Sequence, residues 1–156
     1  MGVRIGAAAL LLLVTIGVRP GSDHLGVFPK WSDPGLTPQN YQKTTKDRLY
    51  TKEQATRGAE QYVKFCEKCH TPEKVAAGKK PGPPVQGPKF LEAWVDRPLG
   101  ELFGTIFSTM PSDGATTLTA DQALDAVAHI LQLNGYPDGP APLKNDDVMK
   151  TAVIVK

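Results

Sequence analysis

The stretch KFCEKCHTPEK, residues 64–74, contains both cysteines of the chain, Cys66 and Cys69, and a histidine directly after the second. Two thiols separated by two residues can form a redox-active disulfide or supply half of a zinc site. They can also be the two anchors of a covalently bound haem. These possibilities differ in what the rest of the chain must provide.

The first two explanations fit this chain poorly. A structural disulfide between Cys66 and Cys69 would close a very short loop and constrain little of the unfolded chain. A thioredoxin-like redox pair follows a strand in a βαβ unit, whereas a helical pattern leads into this motif. A structural zinc site needs four ligands, and only His24 and His129 remain to complete one.

The motif CEKCH, residues 66–70, is the C-x-x-C-H pattern of c-type haem attachment. Each cysteine can add across one haem vinyl group to form a thioether, and two intervening residues place the sulfurs at adjacent vinyls. His70 then lies under the iron, for which imidazole is a good ligand. The sequence therefore predicts one haem c, bound through Cys66 and Cys69, with His70 as an axial ligand.

A six-coordinate haem needs a second axial ligand, and the chain has three methionines. Met1 lies in an N-terminal apolar run and Met149 in the C-terminal tail, whereas Met110 ends an apolar helical pattern and is followed by Pro111. A methionine is often only a filler of the core. In this context we interpret Met110 as the second ligand of the iron.

The loop GPPVQG, residues 82–87, is a candidate partner for the ring of His70. A ligating histidine normally donates its other ring N–H to a carbonyl group. Pro83 has no N–H and a fixed φ, so its carbonyl can be held stiffly at the ring. A plain turn is the alternative interpretation of this loop.

The charge is unevenly distributed along an otherwise ordinary soluble composition. The formal net charge is +2 with 22% charged residues, which gives no sign of a nucleic-acid-binding protein. Residues 64–89 contain six lysines and two glutamates, whereas residues 92–150 contain nine acidic and three basic side chains. A basic patch near the cysteines would suit an acidic partner, although a solvated lysine-rich loop explains it equally well.

The N-terminus has the pattern of an export signal. Arg4 precedes an apolar run of 14 residues, Ile5 to Val18, which is too short to span a bilayer and fits a secretory signal within residues 1–22. An uncleaved N-terminal membrane anchor is the alternative, because the cleavage site is poorly marked. Either interpretation predicts a periplasmic protein. Residues 23–50 are rich in proline and glycine and are predicted to form an irregular arm.

Helical patterns fill most of the chain between Thr51 and Pro137. The segment TKEQ, residues 51–54, fits a capping box in which Thr51 caps the helix and Gln54 reaches back to it. Gly58 marks the expected close approach of another helix. The apolar side of this first helix is predicted to comprise Ala55, Gly58, Ala59, Tyr62, Val63 and Cys66.

Two or three further helices are predicted downstream. A short helix covers residues 90–94, and another begins at Pro98 with an apolar side of Leu99, Leu102, Phe103, Ile106 and Phe107. The last opens with a capping box at residues 119–122, ends at Asn134–Gly135, and has a predicted polar side of Asp121, Gln122, Asp125, His129 and Gln132. The fold class is therefore all-α over residues 51–137, with an irregular tail at residues 138–156.

These features together resemble the class I cytochromes c, over roughly residues 50–137. The resemblance rests on Gly58 and Tyr62, on CEKCH and GPPVQG, on TMPSDG around Met110, and on the final LTADQALDAVAHILQLNG. It implies three or four helices around one haem. It also implies that the first and last helices cross near Gly58 and Tyr62, against Val127, Leu131 or Tyr136.

The resemblance implies further partners and site residues. Trp94 and Arg97 fall where such cytochromes often contact the haem propionates, and a core tryptophan with a surface arginine is the alternative. The ending ILQLNGYPDG is similar to cytochrome subunits of periplasmic pyrroloquinoline-quinone dehydrogenases. The expected function is single-electron transfer between redox proteins, such as a quinoprotein dehydrogenase or a terminal oxidase, and not an enzymatic reaction of its own. A permanently bound subunit of an oxidoreductase complex and an open-site haem peroxidase or sensor remain as alternatives.

Overall fold

Helices form nearly all of the regular structure in the computed structural model, which describes Gly2 and residues 42–156. The predicted signal or anchor at residues 1–22 and most of the predicted arm, including His24, lie outside the described residues. No helix among the described residues is both long enough and apolar enough to cross a membrane.

The described helices confirm the all-α fold class. In these residues, β-type pairing is limited to isolated bridges from Val153 to Thr44 and to Pro98. A π-helical segment, Tyr62–Cys66, joins the first two helices, and a 3₁₀ turn, Pro72–Lys74, follows the second. In chain order the α-helices are α1 (Lys52–Gln61), α2 (Glu67–His70), α3 (Pro88–Trp94), α4 (Leu99–Thr109), α5 (Ala120–Leu133) and α6 (Asp147–Thr151).

The crossing of α1 and α5 is the tightest helix contact that positions the attachment motif. A Cβ atom added to Gly58 would lie 1.9 Å from the backbone oxygen of Asp125 and 2.8 Å from Cβ of His129. The predicted close approach at Gly58 is therefore present. The atoms nearest to that Cβ belong to Asp125 and His129, and not to the predicted Val127, Leu131 or Tyr136, which are buried in the core.

The two predicted capping boxes have different outcomes. At α5 the box is complete, since Thr119 Oγ1 accepts from the Gln122 backbone and Gln122 Oε1 accepts from the Thr119 backbone. At α1 only half of it forms, with the Gln54 N–H donating to Thr51 Oγ1 at 3.2 Å. The predicted reach of Gln54 back to Thr51 is wrong, because its amide is buried and bound to the backbone of Leu143.

Two apolar positions predicted on buried helix sides are largely exposed. Val63 is 64% exposed, because the wider π-helical turn rotates it out of the α-helical register. Phe107 is 42% exposed and lies over the ring of Phe103, with ring centroids 5.6 Å apart. The other predicted apolar residues of α4 are buried.

The predicted polar side of α5 is partly buried. Asp125 is only 7% exposed and forms a two-pronged ion pair with Arg57, at 2.8 and 2.9 Å. His129, predicted to lie on the polar side, is partly buried and lies against the ring of Tyr62. Both predictions were wrong because α1 crosses over this side of α5.

The C-terminal tail and residues 42–50 pack against the helices of the domain predicted for residues 51–137. Met149 and Ile154 are fully buried, and Tyr50 is almost so. Backbone hydrogen bonds join Ile154 to Asp96 and Arg97, at 2.8 and 3.0 Å. The tail therefore braces the turn between α3 and α4, and residues 42–156 lie in one compact unit.

Replacing Gln54 with alanine should lower the free energy of unfolding by roughly 2–4 kcal/mol, as judged by urea unfolding. The Gln54 amide donates to the Leu143 carbonyl at 3.0 Å and accepts from the Leu143 N–H at 2.8 Å, both in buried surroundings. Alanine leaves both backbone groups without a partner. Glu60→Ala, at an exposed position of the same helix, should change stability by less than about 0.5 kcal/mol. Equal effects of the two substitutions would contradict this role of Gln54.

Candidate functional site

A cavity of about 850 Å³, including its open mouth, lies beside the attachment motif. Most of its wall is aromatic or aliphatic and comes from the π-helical segment, the 82–87 loop and helices α3, α4 and α5. These wall residues include Phe65, Val85, Phe90, Trp94, Leu102, Ile106, Ala126 and Ile130.

The attachment motif contributes three side chains to this cavity, those of Cys66, Cys69 and His70. Both cysteines are free thiols, with Cys66 partly buried and Cys69 exposed. Burial raises the pKa of the Cys66 thiol to about 11, and the neighbouring Cys69 adds to this increase. Among residues 42–156, including this motif, no group of three His, Cys, Asp or Glu side chains could hold a metal ion.

The ring of His70 is held in one orientation by the 82–87 loop. Its Nδ1 lies 2.8 Å from the carbonyl oxygen of Pro83. A carbonyl can only accept, so Nδ1 donates the proton of this bond, which leaves Nε2 as the ring nitrogen that could bind a metal. The Gly82 N–H donates to the Cys69 carbonyl at 2.8 Å, and a Cβ at Gly82 would lie 2.9 Å from Cε1 of His70. Glycine at this position therefore leaves room for the ring.

Asn134 is a positioning residue, although its place in the sequence indicated only the end of a helix. Its Oδ1 accepts from the Gly87 N–H and its Nδ2 donates to the Val85 carbonyl, both at 2.9 Å. It therefore ties the C-terminal end of α5 to the loop that carries Pro83. The signal in the sequence was the Asn-Gly pair after the helix, which gives no indication of a distant loop.

Met110 lies in the same cavity wall as His70 and both cysteines. It directly follows α4, and its backbone N–H donates to the Ile106 carbonyl at 3.1 Å. Met149, by contrast, is fully buried in the core and is not among the residues that line the cavity. Of the methionines that the structure describes, Met110 is the one placed to ligate an iron in this cavity.

Trp94 and Arg97 lie together, but only Trp94 lines the cavity. The Arg97 guanidinium stacks on the Trp94 ring, 4.4 Å from its centroid, and donates to the Glu101 carboxylate at 2.6 and 2.8 Å. Arg97 is therefore already engaged by a carboxylate of the chain. A role of either residue toward haem propionates stays a prediction.

The lysine-rich region is divided between paired and unpaired side chains. Lys68 pairs with Asp113 at 2.6 Å, and Lys74 lies 3.6 Å from Glu67. The other lysines of residues 64–89 are exposed and have no ion pair to any described residue: Lys64, Lys79, Lys80 and Lys89. The local positive charge predicted from the sequence is thus reduced by these pairs but not removed.

Tyr62 connects the cavity wall to the crossing of α1 and α5. Its hydroxyl lies 3.1 Å from Thr71 Oγ1, and its ring is 5.5 Å from the ring of His129. Burial lowers the pKa of His129, and its Nδ1 is buried without a hydrogen-bond partner. His129 therefore packs behind Tyr62 in surroundings that disfavour its charged form.

These residues fit a covalently bound haem. Two thiols, an imidazole with a free Nε2 and a thioether share one largely apolar cavity, which is the donor set expected of a c-type cytochrome. No curated protein and no solved structure matches the chain. A family model described as cytochrome C oxidase, cbb3-type, subunit III matches residues 53–130, half of the chain. The chain therefore belongs to this family of cytochrome c domains, which implies a covalent haem c and a role in electron transfer.

Proposed function

We propose that this protein carries single electrons between redox proteins of the periplasm through one haem held by Cys66, Cys69, His70 and Met110. The observation that carries the proposal is that all four side chains line one cavity. When bound, the haem supplies a one-electron couple between ferric and ferrous iron. The polypeptide supplies the attachment, the two axial ligands and an environment that favours the reduced form.

Each side chain has a distinct role in this proposal. Cys66 and Cys69 would hold the cofactor through thioethers, and the Pro83 carbonyl fixes the His70 ring so that Nε2 would be available to the iron. Met110 would supply a thioether ligand to the iron, and such a ligand stabilises the ferrous form and raises the reduction potential. The apolar wall keeps water away and acts in the same direction, because a less polar environment disfavours the extra charge of ferric iron.

A closed sixth position separates an electron carrier from an open-site peroxidase or gas sensor. The experiment adds carbon monoxide to the purified, matured protein after reduction. We expect an unchanged ferrous spectrum and a reversible redox titration with a one-electron slope. Rapid binding of carbon monoxide at neutral pH would instead support the open-site class.

A second candidate is a permanently bound subunit of an oxidoreductase complex. The description of the matching family, an oxidase subunit, supports this candidate and favours a terminal oxidase as the partner. The other candidate partner is a quinoprotein dehydrogenase, on the basis of the ending ILQLNGYPDG. In both cases the apolar N-terminal run would deliver the chain to the periplasm or anchor it at the membrane.

A truncation distinguishes the free carrier from the bound subunit. Residues 42–50 contribute Leu49 and Tyr50 to the core, so only residues 24–41 should be removed. If the chain is a bound subunit held by its arm, the shortened protein should no longer copurify with an oxidase or dehydrogenase from native membranes, while its haem spectrum stays unchanged. Copurification at the wild-type level would count against an arm-held subunit.

A further inference from the structure

An ion pair joins the attachment motif to the loop that carries Met110. Lys68, between the two cysteines, donates from Nζ to Oδ2 of Asp113 at 2.6 Å. Asp113 follows Met110 by three residues and itself lines the cavity. The contact therefore connects two segments that are far apart in the chain but that, under the proposed function, provide the two axial ligands.

This contact is the one hydrogen bond or ion pair in residues 42–156 that joins the attachment motif, residues 66–70, to the methionine loop, residues 110–114. The motif is otherwise tied to the 82–87 loop, through Pro83 and Gly82. The methionine loop follows directly from α4. Loss of the pair would therefore leave the loop without a polar connection to the His70 side of the cavity.

The acceptor is held in place by the turn of the methionine loop. The Gly114 N–H donates to the Pro111 carbonyl at 3.2 Å, and Gly114 has a φ of +68°, which glycine adopts readily. Oδ1 of Asp113 accepts from the Ala115 N–H at 3.0 Å. One carboxylate oxygen thus closes the turn, and the other is directed to Lys68.

We propose that the Lys68–Asp113 pair is a latch that holds the methionine loop against the attachment motif and so slows the release of Met110 from the iron. The inference rests on the proposed ligation by His70 and Met110. Lys68 and Asp113 are positioning residues in it, since they act through the loop. By keeping Met110 in place, the latch limits the access of external ligands and favours electron transfer over ligand binding.

The exposure of the pair sets the size and the salt dependence of the effect. The side chains of Lys68 and Asp113 are 51% and 44% exposed. Pairs of this kind make small contributions, so breaking the latch should speed loop release by about two- to fivefold. Dissolved salt screens such pairs strongly, so salt should reproduce part of the effect of a mutation.

The experiment measures how fast imidazole displaces Met110 in the ferric protein. Imidazole at saturating concentration is mixed with the protein at low ionic strength, and loss of the long-wavelength absorbance band of methionine–iron ligation is followed. Asp113→Asn keeps an oxygen for the Ala115 N–H, so it removes the charge without opening the turn. We expect it to exchange about two- to fivefold faster than the wild type, with the difference disappearing at high salt.

Two further variants serve as controls. Lys74→Gln removes a lysine from the same region whose pair with Glu67 does not involve the methionine loop, and it should exchange at the wild-type rate. Lys68→Arg keeps a positive charge beside Asp113 and leaves the methionine loop unaltered, so it should retain slow exchange. Both results distinguish a specific latch from a general loss of positive charge or of stability.

The outcomes separate this inference from the proposed function. A wild-type protein that lacks the methionine–iron band would overturn both. A wild-type protein with the band, combined with an Asp113→Asn variant that exchanges at the same rate at low salt, would overturn the latch alone. A Lys68→Arg variant that exchanges as fast as Asp113→Asn would also overturn the latch.

Discussion

Replacing Met110 with alanine should lower the reduction potential of the matured protein by on the order of a hundred millivolts, within the ~0.8 V range over which axial ligands set haem potentials. Met110 lines the cavity at the end of α4, and a thioether ligand stabilises ferrous iron. Its removal also opens the sixth position. Potentiometric titration measures the first effect, and binding of carbon monoxide to the reduced variant measures the second.

Met149→Leu is the matched control for this substitution. Met149 is fully buried on α6 and does not line the cavity. Leucine nearly conserves its volume, so stability should change by less than about 1.5 kcal/mol and the potential should stay at the wild-type value. A Met110→Ala protein with the wild-type potential would show that another group ligates the iron.

Replacing Gly58 with alanine should lower the free energy of unfolding by about 3 kcal/mol or more, at the upper end of typical overpacking effects. The added Cβ would lie 1.9 Å from the backbone oxygen and 2.6 Å from the backbone carbon of Asp125. A backbone carbonyl cannot rotate away as a side chain can, so α1 and α5 must separate. Urea unfolding of wild type and variant measures the difference.

The control for Gly58 is Gly104→Ala on α4. A Cβ at Gly104 would meet no atom within 4 Å, and alanine is favoured over glycine in a helix by about 1 kcal/mol. This substitution should therefore leave stability unchanged or increase it slightly. If the Gly58→Ala protein were as stable as the Gly104→Ala protein, the close contact of α1 with α5 at Gly58 would be contradicted.

The features that could be predicted from the sequence are those encoded by neighbouring residues. The spacing within residues 66–70 identified the attachment motif, and the pattern Thr119-to-Gln122 identified a capping box that the structure contains. The predicted end of α5 at Asn134 and Gly135 is also present, and Gly135 has a φ of +78°. Such signals depend on one helical turn or less and need no knowledge of the fold.

The features that could not be predicted depend on contacts between distant segments. Gln54 was expected to cap its own helix, yet its amide binds Leu143, 89 residues away. Asp125 and His129 were placed on a solvated face because periodicity shows which residues are polar, and not what covers them. Here α1 covers them, with Arg57 compensating the buried charge of Asp125.

The candidate site shows the same division. The sequence placed Cys66, Cys69, His70 and Met110 in one hypothesis, and the structure brings all four to one cavity. No pattern in the sequence indicated that Asn134 holds the 82–87 loop or that Asp113 is a partner of Lys68. Each of these contacts joins two loops whose relative position is set by packing of the whole domain.

The most direct test is the intact mass of the protein after maturation in a cell that assembles c-type cytochromes. We predict a denaturation-resistant mass increase equal to one haem, which is lost in a Cys66→Ala, Cys69→Ala variant. A wild-type polypeptide that carries no added mass, although the same cells attach haem to another c-type cytochrome, would contradict the account.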